Sequence, residues 1–203
     1  MTDDRRHPPA PDTESLDAAL DRIRRWTQAA LGRDTLIPST AAEPPAEDQL
    51  PVLAQLASLF TRTETALPTL LPCHDLLTAT RSDQVRAMWL DIGADQRARF
   101  PEFAATHNPE VESRQPAGSA SELFLPEFTP IADRDGSTLF VDVRAGEHQG
   151  CVSEYSASGA STGLCWPSPA AMFTALADSL TTAAAFLRHR PEVHSEGLHW
   201  LPA

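Results

Sequence analysis

The sequence predicts an α+β domain in which a central, mainly antiparallel sheet packs against several helices. Residues 128–155 are the first reason, because they contain three short β-branched or aromatic runs joined by two turn-forming stretches. The second reason is an apolar spacing typical of helices over residues 16–31, 84–99 and 170–187. The apolar faces of these helices need a partner. The sheet, expected from residue 129 to about residue 164, supplies one through Leu139, Val141, Val143 and Val152.

The N-terminal third combines two predicted helices with polar, proline-containing connections. Residues 1–14 are expected to form a flexible tail. Ser15 is a candidate N-cap for a helix over residues 16–31, which carries Leu20 and Ile23 on its apolar side and ends at Gly32. Residues 38–48 are predicted to be a loop. Leucines at positions 50, 53, 56 and 59 predict a second helix over residues 50–60.

The middle third contains one long predicted helix between irregular segments. Residues 67–77 are interrupted by prolines and predict an irregular, half-buried connection. Ser82 is the expected N-cap of a helix that continues to Arg99. The inner face of this helix is predicted to carry Val85, Met88, Trp89 and Ile92. Residues 104–121 are predicted to be an exposed loop with a short strand near Phe103 or Val111.

The C-terminal part is predicted to close the domain with a helix. An apolar face follows Ser168 as far as Arg188, with Met172, Phe173, Leu176, Leu180, Phe186 and Leu187 buried. Residues 189–203 are expected to be a loosely attached tail. The sequence therefore predicts one domain over residues 15–188 between two tails.

The order of motifs in the C-terminal half resembles one known family. Pro130-Ile131-Ala132 precedes an Asp-Arg-Asp-Gly turn, the strand Leu-Phe-Val-Asp-Val at residues 139–143 and Gly-Cys-Val at residues 150–152. Trp166-Pro167-Ser168 then opens an apolar helix. Over about residues 123–187 this order resembles the SUKH superfamily of Smi/Knr-type domains. Upstream only Trp26, Leu67-Pro68 and a partial repeat of it at Leu70-Leu71-Pro72 match, and the family's usual Asn-Gly is missing. The resemblance implies a SUKH-like fold and, for bacterial members, an immunity protein that neutralises a toxin domain, often a nuclease.

Composition excludes several functional classes independently of this resemblance. The net charge of −12 disfavours binding to nucleic acid or anionic lipid. All sixteen basic residues are arginines, so the chain has no lysine for phosphate binding, Schiff-base chemistry or a serine–lysine nucleophile. No apolar run reaches the roughly 18 residues of a membrane span, and no apolar signal segment opens the chain. Three cysteines without a CxxC motif favour a reducing cytoplasm.

Two histidine or cysteine patterns are interpreted as non-catalytic. Cys73 and His74 are adjacent, but catalytic thiols and imidazoles are normally brought together by the fold, so a buried cysteine beside a surface histidine is the preferred interpretation. His189, His194 and His199 recur every five residues, a spacing that keeps no helical face constant. The sequence therefore predicts no catalytic residue, metal or cofactor in either pattern.

The aspartates of the predicted hairpin allow a metal-dependent alternative. Asp133-Arg134-Asp135-Gly136 imitates the start of a calcium loop, but position 142 holds an aspartate where such a loop has its bidentate glutamate. The preferred interpretation is a turn formed by Asp133 and Asp135, with Asp142 facing solvent or accepting backbone hydrogen bonds. The alternative is a hydrolase that binds a metal through these three aspartates.

The acidic residues of the sheet are instead predicted to form an exposed rim that binds a protein. Its candidate partner-binding residues are Asp133, Asp135, Asp142, Glu147 and Glu154, with exposed Tyr155, Trp166 and Phe128 as aromatic anchors. Such a rim suits a basic toxin domain, because opposite charges speed association. A regulatory or scaffold module without a toxin is the second hypothesis. If the rim does not bind, the contact surface is expected on residues 104–121.

Overall fold

A computed structural model of the chain describes residues 14–33, 35–36, 51–156 and 160–203. The predicted tail, except for Glu14, and the predicted loop over residues 38–48 lie outside these ranges. In chain order the elements are α1 (Leu16–Leu31), α2 (Pro51–Thr63), β1 (Asp75–Leu76), α3 (Ala79–Arg99), α4 (Pro101–Thr106), α5 (Pro109–Glu112), β2 (Phe128–Arg134), β3 (Ser137–Asp142), β4 (Cys151–Ser156), β5 (Ala160–Trp166), α6 (Pro169–Thr182), β6 (His189–His194) and β7 (Gly197–Pro202).

The central sheet has five antiparallel strands in the order β1-β2-β3-β4-β5, which confirms the predicted α+β fold. The β2–β3 connection is a two-residue turn in which Asp135 and Gly136 both have positive φ, 51° and 81°. Positive φ at both central residues is typical of a type I′ hairpin turn, and the Asp-Gly pair is a strong sequence signal for it. Helix α1 also has its predicted bounds, because the Ser15 side chain accepts a hydrogen bond from Ala18 N and Gly32 ends the helix at φ 63°.

One face of the sheet packs on an aliphatic core formed with α1, α2 and α6. Leu139, Val141 and Val152 contribute from the sheet, as predicted, and are fully buried. The helices supply Leu20, Ile23, Leu56, Leu59, Met172, Phe173 and Leu176. Burial of this apolar surface is the main favourable term for this half of the domain.

The opposite face packs on an aromatic core that includes α3 and residues 123–128. Its rings are Trp89, Phe124, Phe128, Phe140 and Tyr155, with Phe128 and Phe140 stacked at 4.0 Å between ring centroids. Trp89 Nε1 donates a 2.8 Å hydrogen bond to Thr138 Oγ1, so the indole N–H is satisfied although buried. The sheet is therefore covered on both faces.

Helix α3 differs from its prediction at its start and in its buried face. The N-cap is Thr78, whose side chain accepts from Arg81 N, whereas Ser82 is buried inside the helix and donates a 2.7 Å bond to Pro130 O. The buried face of α3 is formed by Ser82, Val85 and Trp89. Met88 and Ile92 lie beside this face rather than on it. Both of these side chains are exposed, and their predicted burial is wrong.

Residues 104–121 do not form an exposed loop with a strand. Helices α4 and α5 each begin with a proline, and the side chain of Asn108 caps α5 by accepting from Glu110 N at 2.9 Å. Ala117 and Ser121 are buried. Proline at the first helical position after a capping residue is a known start signal, and it accounts for the helices that the sequence reading missed.

Three further predictions are corrected, two in the C-terminal elements and one at residues 73 and 74. Helix α6 ends at Thr182, because Ala183 adopts a left-handed conformation with φ 57°. Residues 189–203 form the β6–β7 hairpin rather than a loose tail, since Leu198 is buried in the aliphatic core and Trp200 Nε1 donates to Thr69 O at 2.9 Å. The local prediction for Cys73 and His74 is reversed: Cys73 is exposed and His74 is buried.

Candidate functional site

The predicted acidic rim does not form one surface. Asp135 is exposed in the β2–β3 turn, whereas Glu147 is exposed in the connection from β3 to β4. The six residues of β3 separate these two ends of the sheet by roughly 15–20 Å. A partner that contacts one end through short side chains does not reach the other through the same patch.

Three predicted contact residues are buried, so their predicted exposure is wrong. Asp142 lies in an ion pair with Arg144, and Phe128 and Tyr155 lie in the aromatic core. The hydroxyl of Tyr155 donates to Glu122 O at 3.2 Å. Burial, with smaller contributions from Glu112 and Glu122, raises the pKa of Tyr155 to about 12. These side chains stabilise the fold and are not available to a partner.

The remaining predicted residues are partly buried and have partners within the chain. Asp133 accepts a 2.5 Å hydrogen bond from Thr138, and Glu154 accepts one of 2.5 Å from Ser137. Trp166 stacks on Phe186 with ring centroids 5.5 Å apart. Trp166 therefore packs at the edge of the aliphatic core and does not project from the surface as an anchor.

The three aspartates of the metal-dependent alternative do not converge. Asp133 pairs across the hairpin with Thr138, which precedes Asp142 by four strand positions, roughly 13 Å. Asp142 is also sealed in its ion pair. In the described part of the chain, no group of three or more histidine, cysteine or acidic side chains is placed to hold a metal ion.

A different segment of the chain carries both exposed acidic and exposed apolar side chains. We define the α4–α5 surface as residues 100–122. Phe100 and Val111 are 51% and 56% exposed on it, the two highest values among the exposed large apolar side chains of the described residues. Glu102, Glu110 and Glu122 are exposed on the same segment. A groove of about 470 Å³ runs beside Val111 and is lined by residues 105–108, 111, 112, 115 and 120–122.

The groove contains a serine, a glutamate and a histidine in contact with one another. Glu112 Oε1 lies 3.6 Å from His107 Nδ1, and its Oε2 accepts hydrogen bonds from Ser121 Oγ and, at 3.3 Å, from Leu123 N. The carboxylate of Glu112 therefore lies between the imidazole of His107 and the hydroxyl of Ser121. In a nucleophilic triad the imidazole contacts the hydroxyl and removes its proton. This order therefore fixes the backbone at residues 121–123 and does not activate Ser121.

A buried ion pair attaches the α4–α5 surface to the sheet. Arg144 and Asp142 are 0% and 1% exposed and are joined by a 2.7 Å bond from Nη2 to Oδ2. Arg144 Nε also donates to Asp142, Nη1 donates to Glu112 O at 3.0 Å and Nη2 to Ser119 O at 2.7 Å. Asp142 Oδ2 also accepts from Gly118 N at 2.9 Å. One arginine thus holds both ends of residues 112–119.

Strand β5 provides a second attachment. Ser161 N donates to Ser121 O, and Ser121 N donates to Ser161 Oγ, each at 2.8 Å. Ala117 N donates to Ala145 O at 3.0 Å. A surface held in this way loses little conformational entropy on binding, so more of its contact energy remains as affinity.

Comparison with known proteins adds no family to these observations. The chain matches no protein-family model and no curated protein. The SUKH resemblance therefore stays a prediction from the order of motifs in residues 123–187.

Proposed function

We propose that this protein is a non-enzymatic binding domain, an immunity protein of SUKH type that neutralises a cognate toxin by covering a basic surface on it. The observation that carries this proposal is the α4–α5 surface, which carries exposed Phe100, Val111 and several exposed carboxylates and continues into residues 112–121, which are hydrogen-bonded to the sheet. The site replaces the predicted sheet rim and overlaps residues 104–121, the segment expected as the second choice, which it extends to residues 100–122. A cytoplasmic location belongs to the proposal, and the three cysteines are unpaired, as such a compartment favours.

The chemistry of this surface suits a basic protein partner. Large apolar side chains surrounded by polar residues are typical of binding hot spots, because the rim excludes water from the anchors. The carboxylates of Glu102, Glu110 and Glu122 and the overall charge of −12 attract a cationic cleft such as that of a nuclease toxin. Among the described residues, no helix is long and apolar enough to cross a membrane.

The first experiment measures association with a toxin domain identified by co-expression of this protein with the products of its neighbouring genes, followed by a pull-down. The variant Glu110→Arg/Glu122→Arg reverses two exposed acids of the α4–α5 surface. The control Glu192→Arg/Glu196→Arg reverses two exposed acids of the β6–β7 hairpin and changes the net charge equally. We expect the first pair to slow association about 10-fold at low salt, and the control pair to change it less than about 2-fold. Equal effects of the two pairs would refute the assigned surface.

The second experiment tests the apolar anchors. Phe100→Ser and Val111→Ser remove exposed side chains, so the thermal midpoint is expected to stay within a few degrees. Dissociation of the complex is expected to be at least about 10-fold faster, because anchor contacts act mainly on the dissociation rate. Wild-type dissociation in both variants excludes this surface. Binding through it to a non-toxic partner, with no toxin neutralised, identifies the scaffold alternative.

A further inference from the structure

The fold brings an exposed thiol next to an imidazole from a distant part of the chain. Cys73 and His189 are separated by 116 positions, and Cys73 Sγ lies 3.8 Å from His189 Nε2. The sulfur is exposed and the imidazole is half-buried. This is the contact through which an imidazole can take the proton of a thiol.

The hydrogen bonds of His189 assign its tautomer. Nδ1 lies 2.7 Å from the carbonyl oxygen of Leu187. A carbonyl only accepts, so Nδ1 carries a proton and donates it. In the neutral ring, Nε2 then has its lone pair free and directs it at Cys73. The backbone carbonyl takes the place of the side chain that orients the histidine in a catalytic triad.

Two tight turns hold the pair in place. Leu71 and His74 form a bridge that encloses Pro72 and Cys73, and Cys73 has φ 59°, the position where a type II turn favours glycine or asparagine. The second turn pairs Phe186 with His189 through two hydrogen bonds of 2.8 and 2.9 Å. Both members are thus fixed by the backbone and do not depend on a long flexible side chain.

The charges near the sulfur include a guanidinium. The pKa of Arg134 is raised, first by its hydrogen bond to Asp75 and to a smaller extent by the charges of Asp75, Asp135 and Cys73. Arg134 is paired with Asp75, so its charge is largely compensated there, and the imidazole of His189 is the group that can take the thiol proton to give the nucleophilic thiolate.

We propose that Cys73 is a reactive thiol that forms mixed disulfides with low-molecular-weight disulfides, with His189 as its proton acceptor. The Sγ–H proton moves to Nε2, and the thiolate attacks one sulfur of the disulfide RSSR. A new Sγ–S bond forms as the S–S bond breaks. The leaving thiolate takes the proton from His189, so the products are Cys73–S–SR and RSH. Excess free thiol reverses the reaction. This site is independent of the proposed toxin contact.

The other two cysteines are internal controls. Cys165 is also exposed, but its sulfur contacts Thr162 Oγ1 at 3.3 Å and Gly163 O at 3.7 Å rather than an imidazole. Cys151 is buried, and burial, assisted by the charge of Asp142, raises its pKa to about 11. Exposure alone therefore predicts equal reactivity of Cys73 and Cys165, whereas the proposal predicts that Cys73 reacts faster.

The test measures modification of each cysteine in the folded, full-length protein by glutathione disulfide, with peptide mass spectrometry between pH 5 and pH 9. At pH 6.5 we expect Cys73 to react at least about 10-fold faster than Cys165. Because His189 accepts the thiol proton, the rate of Cys73 is expected to fall less steeply than that of Cys165 as the pH is lowered from 9 to 5. His189→Gln is expected to slow Cys73 about 10-fold at pH 6.5 and to shift its pH profile to that of Cys165. The control His199→Gln leaves both unchanged.

A second variant separates proton acceptance from packing. Trp200→Phe removes the hydrogen bond to Thr69 O and loosens the hairpin but keeps the imidazole. We expect this variant to keep the fast reaction of Cys73 at low pH. The proposal is overturned if Cys73 reacts no faster than Cys165, if His189→Gln leaves its pH profile unchanged, or if Trp200→Phe abolishes the reaction as fully as His189→Gln does.

Discussion

The two ends of the central sheet use the same residue types for opposite purposes. At the end where β3 leaves for β4, the Asp142–Arg144 pair is sealed from water and holds backbone carbonyls of residues 112–119. At the other end, around the β2–β3 turn, Arg134 pairs with Asp75 on the surface, and their side chains are 33% and 42% exposed. Each end contains a carboxylate and a guanidinium within hydrogen-bonding distance.

The two ends differ in whether a further segment of the chain covers the ion pair. Residues 112–121 lie over the Asp142 end, so its charges must be paired and hydrogen-bonded completely. Within the described ranges, no comparable segment lies over the Arg134–Asp75 pair, and its side chains remain in contact with water. Counting acids along the sequence therefore does not locate a binding surface, because an acid contributes to recognition only where it stays exposed.

The largest expected effect comes from breaking the covered pair. Arg144→Met leaves Asp142 buried without its cation and removes the bonds to Glu112 O and Ser119 O. We expect the free energy of unfolding to fall by about 3–5 kcal/mol, measured by urea denaturation. Charge reversal at Asp142 should destabilise the protein for the same reason. A change below about 1 kcal/mol in Arg144→Met would contradict the structural role of the pair.

The second expected effect concerns a buried hydrogen bond near the uncovered end. Thr138 accepts from Trp89 Nε1 at 2.8 Å and donates to Asp133 at 2.5 Å. Thr138→Val keeps the shape of the side chain but leaves the buried indole N–H without an acceptor. Stability is expected to fall by about 1–3 kcal/mol. The control Thr138→Ser retains the hydroxyl and should lose less. Equal losses in both variants would assign the effect to packing.

Some of these structural features could be predicted from the sequence and others could not. Helix α1 and strands β2–β4 were predicted because their signals are local: Ser15 caps, Gly32 ends a helix, and Asp135-Gly136 forms a turn. Asp142 and Arg144 are two positions apart, a spacing that in a strand places both side chains on the same face. For two charged residues, the sequence alone favours a solvent-exposed face. Only the later placement of residues 112–121 reveals that the pair is buried.

The candidate sites show the same division between local and distant signals. Of the exposed acids of the α4–α5 surface, Glu110 lies within residues 104–121, the segment predicted as the second choice, whereas Glu102 and Glu122 lie just outside it. The helices of this segment were not predicted, although Pro101 and Pro109 mark their starts. The sequence interpretation rejects Cys73 as a nucleophile because adjacent residues such as His74 rarely point at one another, and rejects His189 because its five-residue spacing keeps no helical face constant. Their contact depends on two turns that form 116 positions apart, and no local pattern encodes it.

The third expected effect is a pH dependence from the uncovered end. Burial of His74 lowers its pKa, an effect only partly opposed by the carbonyl of Pro72 and the charges of Glu154 and Asp133. The unfolded chain, with an ordinary value near 6.5, then binds this proton more readily than the folded one. Stability from His74 is therefore present above about pH 6.5 and is lost as the pH falls below it. His74→Gln should show a smaller loss between pH 7 and pH 5 in denaturant titrations. An unchanged slope would exclude His74 as the source.

The smallest expected effect is the counterpart of the first. Arg134→Met removes the exposed pair with Asp75 and the 2.7 Å bond to Pro68 O. Water replaces the lost partners of Asp75, because that carboxylate is not enclosed, and we expect a loss of at most about 1 kcal/mol that shrinks further at high salt. The measurement is the same urea denaturation as for Arg144→Met, at two salt concentrations. Comparable losses of stability for the two arginines would show that the cover formed by residues 112–121 does not explain the difference between the two ends. A loss several-fold smaller for Arg134 supports burial as the deciding difference, since the two variants remove the same chemical group.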